Sequence, residues 1–220
     1  MRDIEARYRP ATLLAVGDNG LLVRFARELE EEATQRAIAF FRVAEQAGLP
    51  GVVEIVPNLV SVLLRYDPRA VSFDALAGEV RLLFAREAVP GSEAGAYRIG
   101  IRFSGPDLAE VAERLGLSRD EFIEKHNLDP MRVLGGAFAP GFIYCGLHPE
   151  DMRLPRKSDV RPTVPPGSVL FAAGQTAITS TTIPTGWHVI GETDFRNLDL
   201  SAMPPTRLRA GDVVQFEALS

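Results

Sequence analysis

The sequence predicts an α+β protein in two parts: a small mixed α/β domain over residues 1–95, then a β-barrel domain over residues 96–220. Three observations carry this. Two amphipathic helical stripes alternate with short apolar strands before residue 90. The segment from Pro90 to Gly95 has the composition of a linker or long turn. From Gly135 to Gly191, glycine and proline recur between short apolar runs, the spacing of a tight-cornered β-structure.

The elements follow in chain order. Leu13 to Val16 and Leu21 to Phe25 flank Gly17-Asp18-Asn19-Gly20, a hairpin turn able to supply positive φ angles. A helix begins near Glu30, with Ala33, Ala37, Phe40, Phe41, Ala44 and Ala47 at helical spacing, and Gly48 caps it. Val52 to Val56 is a strand, Pro57-Asn58 a turn, and Leu59 to Tyr66 a second strand. Ser72 caps a second helix with an apolar stripe of Leu76, Val80, Leu83 and Phe84. Tyr97, Ile99, Ile101 and Phe103 alternate with polar or small residues as a half-buried strand. This order matches a split β-α-β, ferredoxin-like domain, unless the last strand belongs to the domain that follows.

Pro106 opens a short helix, and Ser118 with Glu121 makes a capping box for another that carries Phe122, Ile123 and His126. Beyond Pro130 the firmest strands are Val169 to Ala172, Ala177 to Thr182, Trp187 to Ile190 and Val213 to Leu219.

Composition removes several classes of function. The 220 residues are 46% hydrophobic and 24% charged, enough for a sizeable core. A formal net charge of −5 gives no bulk attraction to nucleic acid or anionic lipid. No apolar run reaches the roughly 20 residues of a membrane span, and the charged N-terminus lacks a signal-peptide core, so a cytoplasmic location is expected. The single cysteine, Cys145, rules out an internal disulfide framework. His126, His148 and His188 lack zinc-type spacing, so no metal site is expected. Neither a phosphate-binding glycine loop nor a nucleophile elbow is present.

What remains is a set of residues borne mostly by loops. Arg156 and Arg161 can hold a carboxylate or phosphate by forked hydrogen bonds, or stand as solvated loop arginines. Gln175 presents a donor and an acceptor to a pocket, or satisfies backbone in a corner. Trp187 is either a stacking wall for a planar ligand or a core anchor. Tyr144 can donate its hydroxyl to a ligand carbonyl or hold a structural bond at a barrel rim. His126 is a proton carrier or a satisfied structural histidine. Cys145 reads as a small buried hydrophobe, and Pro140-Gly141 as a turn device.

Together these segments resemble a known family. It contains the B subunit of 5-oxoprolinase, the sporulation kinase inhibitor KipI and proteins described as allophanate hydrolase subunit 1, and it recurs as the carboxyltransferase segment of urea carboxylase. The most specific matches are Phe138-Ala139-Pro140-Gly141-Phe142-Ile143-Tyr144, Pro155-Arg156, Val164 to Val169, Gly174-Gln175-Thr176, Gly186-Trp187 and Gly211 to Phe216. Gly105-Pro106-Asp107-Leu108 and His126 match in the middle. The resemblance implies that the second domain is a cyclophilin-like β-barrel. It implies work beside a homologous C subunit, with a possible A subunit, and ATP used by the complex to open the 5-oxoproline lactam to glutamate. Alternatives are a docking module that inhibits a sensor histidine kinase, or a component of a urea or amide carboxylase. Allophanate hydrolysis by this chain alone is disfavoured, because no serine–lysine amidase pattern is present.

The expected catalytic residues are His126, Arg156 and Gln175; the expected substrate-binding residues are Pro140, Gly141, Phe142, Tyr144, Arg161, Thr176 and Trp187. Tyr144, Arg156, Gln175 and Trp187 are expected to share one hollow. Ile143, Cys145 and His188 depart from the family pattern and leave the substrate open.

Overall fold

The computed structural model describes residues 11–84 and 94–219. The chain divides into two compact units at Glu93/Ala94. Most of the expected linker, from Pro90 to Glu93, lies outside the described residues. Among the described residues no helix is long and apolar enough to cross a membrane.

In the first unit the elements are β1 (Thr12–Val16), β2 (Gly20–Arg24), α1 (Glu31–Ala47), β3 (Val52–Asn58), β4 (Ser61–Tyr66) and α2 (Phe73–Leu83). The antiparallel sheet runs β1-β2-β4-β3. Leu21, Val23, Val62 and Leu64 bury their side chains with Ala37, Phe40 and Ala44 of α1 and Leu76 and Val80 of α2. Gly48, at φ 57°, ends α1, and the Ser72 hydroxyl accepts the Ala75 N–H at the start of α2.

One expectation needs correction here, and one choice the sequence left open is decided. The turn after β3 sits at Leu59-Val60, two residues later than Pro57-Asn58, and β4 begins at Ser61. Pro57 is tolerated inside β3 because that strand is an edge, where a missing N–H costs no ladder bond. The strand at Tyr97 does not join this sheet, so the unit's order is β-β-α-β-β-α.

The second unit comprises β5 (Ala96–Ile101), α3 (Leu108–Arg114), α4 (Arg119–Asn127), β6 (Met131–Gly136), β7 (Ile143–Gly146), β8 (Arg161–Val164), β9 (Ser168–Ala172), β10 (Gln175–Ile178), β11 (Ile183–Thr185), β12 (His188–Glu192) and β13 (Val213–Ala218). Seven strands form one sheet in the order β12-β9-β10-β7-β6-β13-β5, with β13 and β5 parallel. The sheet curls until its ends meet: Arg102 and Glu192 exchange backbone hydrogen bonds of 2.9 and 3.0 Å. Gly105 continues the seam by donating to the Ile190 carbonyl. A Cβ at Gly105 would lie 2.3 Å from the Val189 carbonyl oxygen, so only glycine permits this approach.

Side-chain alternation gives the sheet two apolar faces. One carries Ile143, Cys145, Val169, Phe171, Ile178 and Phe216, and α3 and α4 close it with Leu108, Val111 and Phe122. The other carries Leu170, Ala172, Ala177 and Val189 with Phe142 and Trp187, joined by Val164 and Ile183 of the separate two-stranded β8–β11 sheet. The predicted strand from Ala177 to Thr182 stops at Ile178. There the Thr179 hydroxyl accepts the Ser168 N–H and donates to the Pro165 carbonyl, and the chain leaves the sheet for β11. The capping box at Ser118 and Glu121 forms as expected.

The β9–β10 hairpin turns on Ala173-Gly174, with φ angles of 53° and 72°. Two successive positive φ angles suit Asn-Gly better than Ala-Gly. Replacing the exposed Ala173 with Asn is expected to stabilise the protein by about 0.5–1 kcal/mol, read as a higher urea midpoint.

Candidate functional site

Two groups of polar side chains lie on opposite faces of the curled sheet. The first is on the face that carries Trp187. Strand β7 points Tyr144 there, and Ala177 of β10 is its cross-strand partner. The Tyr144 and Trp187 ring centroids are 5.8 Å apart, and those of Phe142 and Tyr144 are 4.8 Å apart. The Arg156 guanidinium carbon lies 5.6 Å from the Trp187 ring centroid, a cation–π arrangement. Trp187 is buried, Tyr144 half-buried and Arg156 exposed. Burial pushes the Tyr144 phenol above its usual range, while nearby Arg156 pulls it back down. No carboxylate pairs with Arg156 among the described residues. Gln175 stands on this same face, two residues along β10 from Ala177, and is itself buried. Its Oε1 is enclosed by the protein and has no hydrogen-bond partner.

The loop before β7 frames one side of this group. Gly141, at φ 70°, offers its carbonyl to the Ser180 hydroxyl and the Asn197 amide. Pro140 is exposed, Phe142 is buried against Tyr144, and Phe138 is 66% exposed with its ring 5.7 Å from that of Phe142.

The second group is in the core beneath α4. The Thr176 hydroxyl lies 2.8 Å from Nε2 of His126 and 2.8 Å from Nε2 of His148. The Nδ1 of His126 lies 2.7 Å from the Asn127 side-chain oxygen. One proton arrangement satisfies all three contacts. His126 donates from Nδ1 to Asn127, Thr176 donates to His126 Nε2, and His148 donates from Nε2 to Thr176. Phe103, Phe122, Phe171 and Phe216 surround the His126 ring. Burial lowers the His126 pKa to about 4, and burial followed by the neighbouring His126 charge lowers that of His148.

Of the four residues expected to share a hollow, three lie together. Tyr144, Arg156 and Trp187 are in contact, with Phe142 behind them, and Gln175 shares their face. Thr176 and His126 are not on that face, because consecutive residues of β10 point to opposite sides. Arg161 is also drawn elsewhere: it holds both oxygens of Asp107 at 3.0 Å. Sequence reasoning missed His148, Asn127 and Asp107 as partners. Asp107 gave one signal, its place beside Gly105-Pro106, but that reads only as a helix start. Among the described residues no group of three or more His, Cys, Asp or Glu could hold a metal ion.

The family model for the carboxyltransferase domain, subdomain C and D, matches residues 11–208. The chain belongs to that family. Within this carboxyltransferase-domain family the chain is similar to the 5-oxoprolinase B subunit of Bacillus subtilis (strain 168), at 32% identity over 226 residues. That alignment covers 93% of this chain and 91% of the relative, so the family expectation from the sequence holds. The crystal structure of TTHA0988 is 35% identical with a TM-score of 0.80, covering 91% of this chain and 40% of that one. The chain thus spans less than half of that longer protein. Kluyveromyces lactis urea carboxylase matches at a TM-score of 0.72 and 16% identity, over 96% of this chain and 22% of that one, a likeness of fold.

Proposed function

We propose that the chain is the B subunit of a 5-oxoprolinase-like system that opens 5-oxoproline to glutamate at the expense of ATP. The observation that carries this is the near full-length likeness to a protein named as the B subunit of 5-oxoprolinase. In this reading a homologous C subunit completes the site, an A subunit belongs to the same assembly, and the complex works in the cytoplasm. The curled sheet is read as cyclophilin-like and the first unit as ferredoxin-like.

The roles assigned here follow the face that carries Trp187. Arg156 holds the substrate carboxylate with its free guanidinium edge. Trp187 and Tyr144 wall the lactam ring. Gln175, buried on the same face, backs this wall, with an Oε1 that has no partner inside the protein. The exposed Pro140 and the bend at Gly141 set the rim beside Phe142. His126 and Thr176 take no part in this reading, since their polar atoms are engaged inside the protein, and Arg161 takes none because its Nη2 is held by Asp107. The described residues offer no glycine-rich phosphate loop, so ATP is assigned to the other components of the complex, and no step here runs through it.

The test mixes the chain with its cognate components and follows ATP-dependent glutamate formation from 5-oxoproline. Activity is expected only in the complete mixture. Arg156→Ala is expected to raise KM about tenfold or more, the loss of a charge-assisted hydrogen bond. No glutamate with any cognate components would remove this reading. Inhibition of a sensor histidine kinase by the same protein would replace it with the docking-module alternative.

A further inference from the structure

Arg156 makes no ion pair among the described residues, yet its guanidinium is held over Trp187. Its neighbours explain how. The Pro155 carbonyl lies 3.1 Å from Nε2 of buried His188, and the Lys157 N–H donates to the Gly186 carbonyl at 2.7 Å. Both contacts tie the segment around Arg156 to the residues on either side of Trp187. The Lys157 ammonium then reaches Asp107 at 3.0 Å and Glu110 at 2.9 Å on α3.

Asp107 is where these ties converge. It is 5% exposed. Its oxygens accept the Val189 N–H at 2.8 Å, the Lys157 ammonium, and the Arg161 guanidinium at the start of β8. Burial alone would raise its carboxyl, but the Val189 N–H, Lys157 and Arg161 together hold it below the usual carboxylate range. One charged group thus fixes β12, the segment at Lys157 and the strand at Arg161. A buried carboxylate with this many donors loses most of its hold if its charge is removed.

We propose that Asp107 is a positioning residue for the site: through Lys157 and Arg161 it holds the intervening segment so that Arg156 stands over Trp187, ready for an anion. The proposal rests on Arg156 being the group that binds the substrate carboxylate. It assigns Asp107 no contact with substrate.

Trp187 is the sole tryptophan, so its fluorescence reads the position of Arg156 without any activity assay. Removing the cation by Arg156→Ala is expected to shift Trp187 emission. Asp107→Asn keeps the shape and an acceptor for Val189, and is expected to reproduce most of that shift. In an Arg156→Ala background, Asp107→Asn is expected to add nothing, because the cation it positions is gone. In the complete complex, Asp107→Asn is expected to raise KM for 5-oxoproline about tenfold with kcat within about twofold. If Asp107→Asn does not fold, Lys157→Met replaces it, leaving the Asp107 bonds to Arg161 and Val189 in place, with the same expected shift. Unchanged emission in the folded variant, or an equal shift with and without Arg156, would overturn the proposal. Because the emission cycle needs no turnover, it decides the role of Asp107 even if the complex proves inactive on 5-oxoproline.

Discussion

Thr176→Val is expected to destabilise the protein by about 2–5 kcal/mol, among the largest losses from a single near-isosteric change in this chain. The hydroxyl serves two buried partners at once, donating to His126 Nε2 and accepting from His148 Nε2, both at 2.8 Å. Valine fills the same space and leaves one buried acceptor and one buried donor without partners. Each orphan costs about 1–3 kcal/mol, because the site is closed to water and walled by phenylalanine rings. Thr176→Ser keeps the hydroxyl and loses a methyl group, so it is expected to cost about 1 kcal/mol. Urea unfolding at pH 7.5 measures both. A valine variant as stable as the serine variant would mean the histidines do not depend on this hydroxyl.

The contrast between Thr176 and Gln175 also shows what could be read from the sequence. The Gly174-Gln175-Thr176 stretch is conspicuous as a segment, but the strand expected from Ala177 in fact starts at Gln175, directly after the Ala173-Gly174 turn. Which of the two side chains faces the ligand depends on strand register, and a one-residue slip exchanges the faces. The sequence carries no mark of that register until β7 and β9 are laid beside β10. Local signals did well where the physics is local: the Ser118–Glu121 capping box, Gly48 at the end of α1, and Ser72 at the start of α2. They failed where a neighbour decides. Pro57 read as a turn, yet it sits in an edge strand that needs no donor there. Arg161 read as a free anion-binding group, yet Asp107, 54 residues earlier in the chain, had already claimed it. Tyr144 and Trp187 could be picked out as aromatic and unusual, but their contact 43 residues apart is a property of the curled sheet.

The same buried pair makes stability depend on pH. His126 is expected to stay neutral in the folded protein down to about pH 4, while an unfolded histidine titrates near 6.5. Between those values the unfolded chain binds more protons than the folded one, so stability falls as pH falls. At 1.36 kcal/mol per pH unit this amounts to about 3 kcal/mol lost from His126 alone by pH 4. His148 acts in the same direction, since burial and the adjacent His126 lower its pKa too. Geometry gives the reason: a second proton on His126 must sit on Nε2, where the Thr176 proton already lies, and the His126 and His148 ring centres are only 4.9 Å apart. The Asp107 carboxyl, held below its usual range, adds its own loss only in more acidic solution, so the two windows separate. Urea midpoints taken from pH 8 to pH 4.5 are expected to hold level above about pH 7 and then fall steadily. Proton NMR of the imidazole ring signals is expected to show His126 and His148 unchanged from pH 8 to about pH 5 in the folded protein. A level stability profile through this range, or ring signals that titrate near 6.5, would mean that the core histidines are not confined to the neutral form by Thr176 and Asn127.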